Sequence, residues 1–234
     1  MAVLAFDTCF NAVSVAVRWQ SARGEWLLRE AYEPIAVGHA ERLLPMIDEV
    51  MGASALRYGD LDRIAVTLGP GGFTGLRAGV AAARALAIAV ERPVVGLSSL
   101  AVMAERANLL LGQRRAGRPL VIAVDARRAA FYSQVFGENA GDPLSTPLIL
   151  DQAAAIAQWP AGAVIVAGSG AAALVQASGR ADAEAMLPDL QPHAQQLVLL
   201  APILPPLDRV IPLYLRPADA KPPATPPLPR RAGP

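Results

Sequence analysis

The chain has 234 residues, with 21 Lys+Arg against 20 Asp+Glu, and its net charge of +1 argues against a dedicated nucleic-acid binder. Hydrophobic residues at 53% exclude disorder of the chain as a whole. A single cysteine, Cys9, excludes an internal disulfide framework and a cysteine metal cluster, and it fits a reducing, cytoplasmic setting.

Residues 2–6 form an apolar run that ends at Asp7, and Val13, Val15 and Val17 alternate with smaller residues after it. Asp7-Thr8-Cys9-Phe10-Asn11 between them reads as a hairpin turn, since Asp, Thr and Asn bond their own backbone. With a third strand over 26–32, the chain opens as an antiparallel meander. A helix is expected over about 40–51, with Pro45 in its first turn or marking a kink. The run 64–68 lacks alternation and reads as a strand buried on both faces. GPGGFTG (69–75) breaks it, and an Ala-rich helix continues to about residue 90. A buried strand at 93–97 and a helix over 98–111 follow, with Ser98 or Ser99 as N-cap.

After an Arg/Gly-rich segment the opening pattern returns. A strand at 120–124 ends at Asp125, and 129–136 reads as the second arm of a hairpin. Strand, Asp and hairpin thus occur twice, half a chain apart, which points to internal duplication. Helices at 151–158, 171–178 and 194–201, a strand at 163–167 and a final edge strand at 210–216 complete the second half. The organisation expected is an N-terminal lobe at 1–111, a shorter lobe at 112–216 and a tail at 217–234. Seven prolines among the 18 tail residues favour an extended or disordered segment. No uncharged apolar run reaches the ~20 residues of a membrane span, and no signal peptide opens the chain.

Candidate chemistry is sparse. GPGGFTGLRAG (69–79) stands between a strand and a helix, where backbone N–H groups and the helix dipole could hold an anion. It is neither a Walker A loop nor a dinucleotide fingerprint, and a tight turn whose glycines permit close packing explains it equally well. Asp7, with Thr8 beside it, and Asp125 each close a strand before a hairpin. They could position Mg²⁺ or water at nucleotide phosphates, or simply form Asx turns. Gly168-Ser169-Gly170 could border a nucleoside or serve as a plain turn. His39 and His193 are the only histidines and stand apart, so no metal site is expected. No nucleophile elbow or Cys–His pair offers hydrolytic chemistry.

Several stretches together resemble one family. FDTCFNAVSVAV (6–17), GHAERLLPMIDEVM (38–51), IAVTLGPGGFTGLRAGVAAARALA (64–87), PVVGLSSLAVMA (93–104), VDARRAAFYSQVF (124–136) and PLYLR (212–216) are similar, in the same order, to the TsaB (YeaZ) family. The resemblance implies an α/β, actin-like ATPase (ASKHA) fold with two related lobes, the second shortened. It also implies a non-catalytic dimerisation subunit for the paralogue TsaD, which transfers threonylcarbamoyl to N6 of the adenosine after the tRNA anticodon. The P-loop ATPase TsaE joins that complex, tRNA is met only through it, ATP or ADP is bound only within it, and a homodimer is open to the chain alone. The catalytic paralogue carries a His-x-x-x-His pair where this chain has His39 and Leu43. No catalytic residue and no required cofactor are therefore assigned to this chain.

Periodicity and resemblance together place the partner surface on the helices at about 40–52 and 74–90. Leu43, Leu44, Met46, Ile47 and Val50 sweep an apolar arc of roughly 160°, wider than one core needs. Gly75, Gly79, Ala82, Ala83 and Leu86 offer a small-residue face. The alternative is a helix pair inside the chain's own core. The alternative for function is a free-standing actin-like ATPase or small-molecule kinase, which would want glycine in the hairpin after Asp7. A peptidase would want a metal or a nucleophile dyad.

Overall fold

The computed structural model describes residues 1–138 and 141–216. The chain opens with β1 (Val3–Asp7), β2 (Ala12–Gln20) and β3 (Trp26–Pro34), the expected meander. Then come α1 (His39–Ser54), β4 (Arg63–Thr67), α2 (Phe73–Val90), β5 (Val94–Leu97) and α3 (Ser99–Leu111). The second half has β6 (Leu120–Asp125), β7 (Ala130–Phe136), β8 (Leu148–Asp151), α4 (Gln152–Ala157), β9 (Val164–Ala167), α5 (Ala171–Ser178), β10 (Ala183–Met186) and α6 (Ala194–Leu200).

The first sheet has the order β3-β2-β1-β4-β5 and the second, read from its other edge, β8-β7-β6-β9-β10. In both, an antiparallel meander of three strands is extended by two parallel ones. The duplication expected from Asp7 and Asp125 is thus a duplication of topology. The sequence reading did not identify β8 and β10, which complete the second sheet.

Both sheets are covered on two sides. Leu4, Phe6, Val13, Val15 and Val17 meet Leu43, Met46, Ile47 and Val50 of α1 on one face of the first sheet. On its other face Val3, Ala5 and Ala16 meet Val102 of α3 and Leu197 and Val198 of α6. The second sheet packs Val121, Phe131 and Val166 on Ala155 of α4 and Leu174 of α5. Its inner face, through Leu120, Ile122 and Phe136, packs on Leu100, Met103 and Ala107 of α3. Helix α3 therefore serves both sheets. Ser98 caps it, accepting from the Ala101 N–H at 3.0 Å.

Two expectations are corrected. Residues 210–216 form no strand: Leu207 and Leu213 each donate once, to the Val94 and Leu68 carbonyls, and the rest of the segment is irregular. Pro205, Pro206 and Pro212 lack the N–H a ladder needs. Pro45 lies within α1 beyond its first turn, on an exposed side, and the helix continues past it. The tail at 217–234 lies outside the described residues.

The burial of α1 also corrects part of the expected partner surface. Leu43, Met46 and Ile47 are each 1% exposed and Val50 is 3%, all inside this chain's own core, whereas Leu44 is 54% exposed. The arc is wide because α1 is covered by the sheet below and by Leu61, Tyr58 and Val90 from elsewhere in the chain. Leu43→Ala should cost ~2–5 kcal/mol in urea denaturation, and Leu44→Ala under ~0.5 kcal/mol.

Candidate functional site: the turn after β1 and the cleft beside it

Asp7 ends β1 fully buried, in contact with β4 rather than solvent. The Thr67 hydroxyl donates to Asp7 Oδ1, and the Cys9 N–H donates to Oδ2 at 3.3 Å, closing an Asx turn. Burial pushes the Asp7 carboxyl from its ordinary 3.8 up to about 6, against the pull of those hydrogen bonds. The Cys9 thiol, 3.2 Å from Thr67 Oγ1, is raised too, first by burial and then by Asp7. The Thr8 hydroxyl is spent inside the protein, donating to the Gly75 carbonyl at 2.7 Å.

The glycine-rich loop resolves as packing. The Gly72 N–H donates to the Cys9 carbonyl at 2.6 Å, so a loop amide that could have met an anion meets the turn instead. A Cβ at Gly75 would run into the Thr8 carbonyl oxygen, and one at Gly79 would stand 2.5 Å from Thr8 Oγ1. Only hydrogen at these positions lets α2 lie directly on the turn. Ser99 ties the loop from the other side, its hydroxyl donating to the Pro70 carbonyl at 2.5 Å and its N–H to Gly69 at 2.8 Å.

A cleft of about 1010 Å³ opens beside this turn, lined by Thr8, Phe10, His39, Phe73, Asp125, Tyr132, Ser169 and Tyr214 among others. Asp125 stands exposed on its far wall; the Arg127 N–H donates to Asp125 Oδ1 at 2.7 Å, a second Asx turn, and Asp125's own N–H donates to Ser169 Oγ at 3.0 Å. Of Gly168-Ser169-Gly170, Ser169 borders the cleft. His39 Nε2 lies 2.6 Å from the Phe10 carbonyl, and no group of three metal-ligating side chains occurs among the described residues.

An actin-like fold implies a nucleotide between its lobes. At the first hairpin Asp7 is buried with its carboxylate on Thr67 and Cys9, and the Thr8 hydroxyl is spent on the Gly75 carbonyl, so neither side-chain group is free to meet a phosphate. Asp7 and Thr8 as nucleotide contacts are corrected on that ground. The hairpin and the start of α2 still line the cleft, and of the two carboxylates Asp125 is the exposed one.

On α2 the expected surface is corrected further. Gly75, Gly79 and Ala83 are buried, and Ala82 and Leu86 are half-buried against the first core. The arginine side is covered by the C-terminal segment: Arg77 lies 3.6 Å over the Phe73 ring and donates to the Tyr214 hydroxyl at 2.8 Å, and Arg84 donates to the Val210 carbonyl at 2.6 Å. Helix α2 is long and apolar enough by composition to cross a membrane, yet one face of it is built into this core. Of its large apolar side chains Phe73, 41% exposed, and Ile88, 80% exposed, stay outside, with Ala81, Ala85 and Ala89 exposed near Ile88, and none of these was among the expected surface residues.

A duplicated meander-plus-parallel sheet, its halves facing across a cleft, defines a protein of the actin-like ATPase fold class. A family model described as TsaD, tRNA N6-adenosine threonylcarbamoyltransferase, matches residues 33–184. The tRNA threonylcarbamoyladenosine biosynthesis proteins TsaB of Haemophilus influenzae and Escherichia coli are 37% and 34% identical, over 59% and 56% of this chain. The matches cover 56% and 53% of those proteins, so the chain spans about half the length of the curated relatives it matches. An uncharacterized Mycobacterium tuberculosis protein is 34% identical over 94% of both chains. Among solved structures, YeaZ from Pseudomonas aeruginosa superposes with a TM-score of 0.76 at 29% identity, covering 92% of this chain and 99% of that one. The chain belongs to the TsaB (YeaZ) family.

Asp7 gives the turn a pH signature. Its folded pKa lies above its unfolded one, so between about pH 4 and 6 the folded protein holds a proton the unfolded chain has lost. Stability from this group is full below that window and falls as pH rises through it, by ~3 kcal/mol in all at ~1.36 kcal/mol per unit. Asp7→Asn removes this contribution. The difference between wild-type and Asp7→Asn urea stabilities should therefore change by that amount from pH 4 to 7 and be flat above it.

Proposed function

We propose that this chain is a non-catalytic partner subunit in tRNA threonylcarbamoyladenosine biosynthesis, pairing with a TsaD-type paralogue in the cytoplasm. The observation that carries the reading is the engaged first hairpin: Asp7 is buried and the Thr8 hydroxyl is tied to the Gly75 carbonyl of α2, while the family relatives are named for that modification. His39, with Leu43 four residues on and buried, supplies half of a metal-binding pair and is already engaged by Phe10. On this reading the chain requires no cofactor, and ATP or ADP and tRNA belong to the assembled complex, which TsaE joins. A homodimer is the form open to the chain in the paralogue's absence.

The partner face proposed is smaller than periodicity implied. It is centred on two large apolar side chains that α1 and α2 leave exposed, Leu44 and Ile88, with half-buried Ala82 and Leu86 on α2. Singly exposed apolar residues are common on any protein, so the support for this face is that the two stand on adjoining helices, together with the family resemblance. Leu44→Glu and Ile88→Glu should each reduce co-purification of the paralogue at least about tenfold while circular dichroism stays native. Retention of the paralogue by both variants would place the interface elsewhere. Met46→Glu, by contrast, should unfold the chain, because Met46 lies in the core.

A further inference from the structure

The cleft carries two aromatic pairs. Phe10, from the turn after β1, stands against Tyr132 of β7 with ring centroids 6.2 Å apart. Phe73 of α2 stands against Tyr214 of the C-terminal segment at 5.2 Å. Val37, Val124 and Leu213 add aliphatic surface. At about 1010 Å³ the cleft matches the largest ordinary small-molecule pockets, ~300–1,000 Å³, and its walls come from both halves of the chain. The same walls include Tyr214, Leu215 and Arg216, where the described C-terminal segment ends. Arg216 Nη2 donates to the Arg127 carbonyl at 3.1 Å, so residues 217–234 start out from the wall of the cleft.

We propose that residues 222–229 of this chain, PPATPPLP, dock in that cleft as a polyproline II segment. Five of the eight are proline, so the run favours an extended form before it binds and loses little entropy on docking. That form has three residues per turn, which sets Pro223, Pro226 and Pro229 on one edge at intervals of ~9 Å. Grooves walled by aromatic rings are the surface that such an edge fits. The prolines bring carbonyl acceptors and no N–H groups, and the Gln191 amide and the Tyr132 hydroxyl are donors on the cleft wall.

The tether selects the occupant. Five residues, 217–221, separate Arg216 from the run, and fully extended they span up to ~17 Å. A link that short keeps the run beside the cleft at an effective concentration of order millimolar. A contact with an intrinsic Kd of about 1 mM, too weak to recruit a separate peptide, is then made in about half the molecules at any moment. The cleft is distinct from the Leu44 and Ile88 face, so the docking stands or falls independently of the paralogue.

A nitroxide on Thr225→Cys in the full chain tests it, because native Cys9 is buried and leaves one reactive thiol. Paramagnetic broadening should concentrate on the amides of Gly38, Asp125 and Ser169 at the cleft. Replacing Pro223, Pro226 and Pro229 together by glycine should cut that broadening about fivefold, since the extended form is lost while the tether stays. Tyr132→Ala, with circular dichroism native, should do the same. A nitroxide-labelled chain mixed with an isotope-labelled chain lacking the nitroxide should transfer no broadening. Transfer in that mixture would put the segment in the cleft of a second copy and overturn the proposal. So would broadening that the triple glycine variant leaves unchanged, which is what a loose tether alone produces, or none at the cleft at all.

Discussion

The structure depends on the contact between α2 and the turn after β1. Thr8 reaches across to the Gly75 carbonyl, the Gly72 amide reaches back to Cys9, and the two surfaces approach until no Cβ fits at Gly75. Everything nearby is arranged around that approach. Asp7 is forced inward onto Thr67, the 69–72 loop is held from beneath by Ser99, and the C-terminal segment closes over the arginine side of α2. At this point the fold has a closely packed joint.

The two halves resolve the same topology differently. Both hairpins begin with an Asp in an Asx turn. In the first half α2 seals the Asp against β4, and in the second Asp125 stays exposed at the cleft with Ser169 beside it. Duplication supplied two equivalent corners, and glycine at Gly75 and Gly79 decided which would be filled. Helix α3, shared by both sheets, then holds the sealed and open corners on one rigid element.

Much of this was legible in the sequence, because it lay in local pattern. The strands ending at Asp7 and Asp125, the buried run at 64–68 and the Ser98 cap are signals of spacing and residue type, and the structure bears them out. The strand at 183–186 was not legible: Ala, Glu, Ala and Met favour helix, and only pairing with β9 makes them extended. Residues 210–216 show the reverse, an apolar run with strand character that prolines keep out of a ladder. The helix surface was misjudged for a further reason. Periodicity reports how wide an apolar arc is, but the cover over α1 comes from Leu61 and Val90, whose approach no local window contains. Likewise the glycines of GPGGFTG fit an anion site and a packed joint alike until the Thr8 carbonyl is seen beside Gly75.

The central claim is that the first hairpin is sealed against a nucleotide, and calorimetric titration of Mg–ATP into the purified chain tests it most directly. The account predicts no saturable binding below ~1 mM that depends on Asp7 or Thr8. A micromolar dissociation constant lost on Thr8→Val or Asp7→Asn, with the fold intact by circular dichroism, would contradict it.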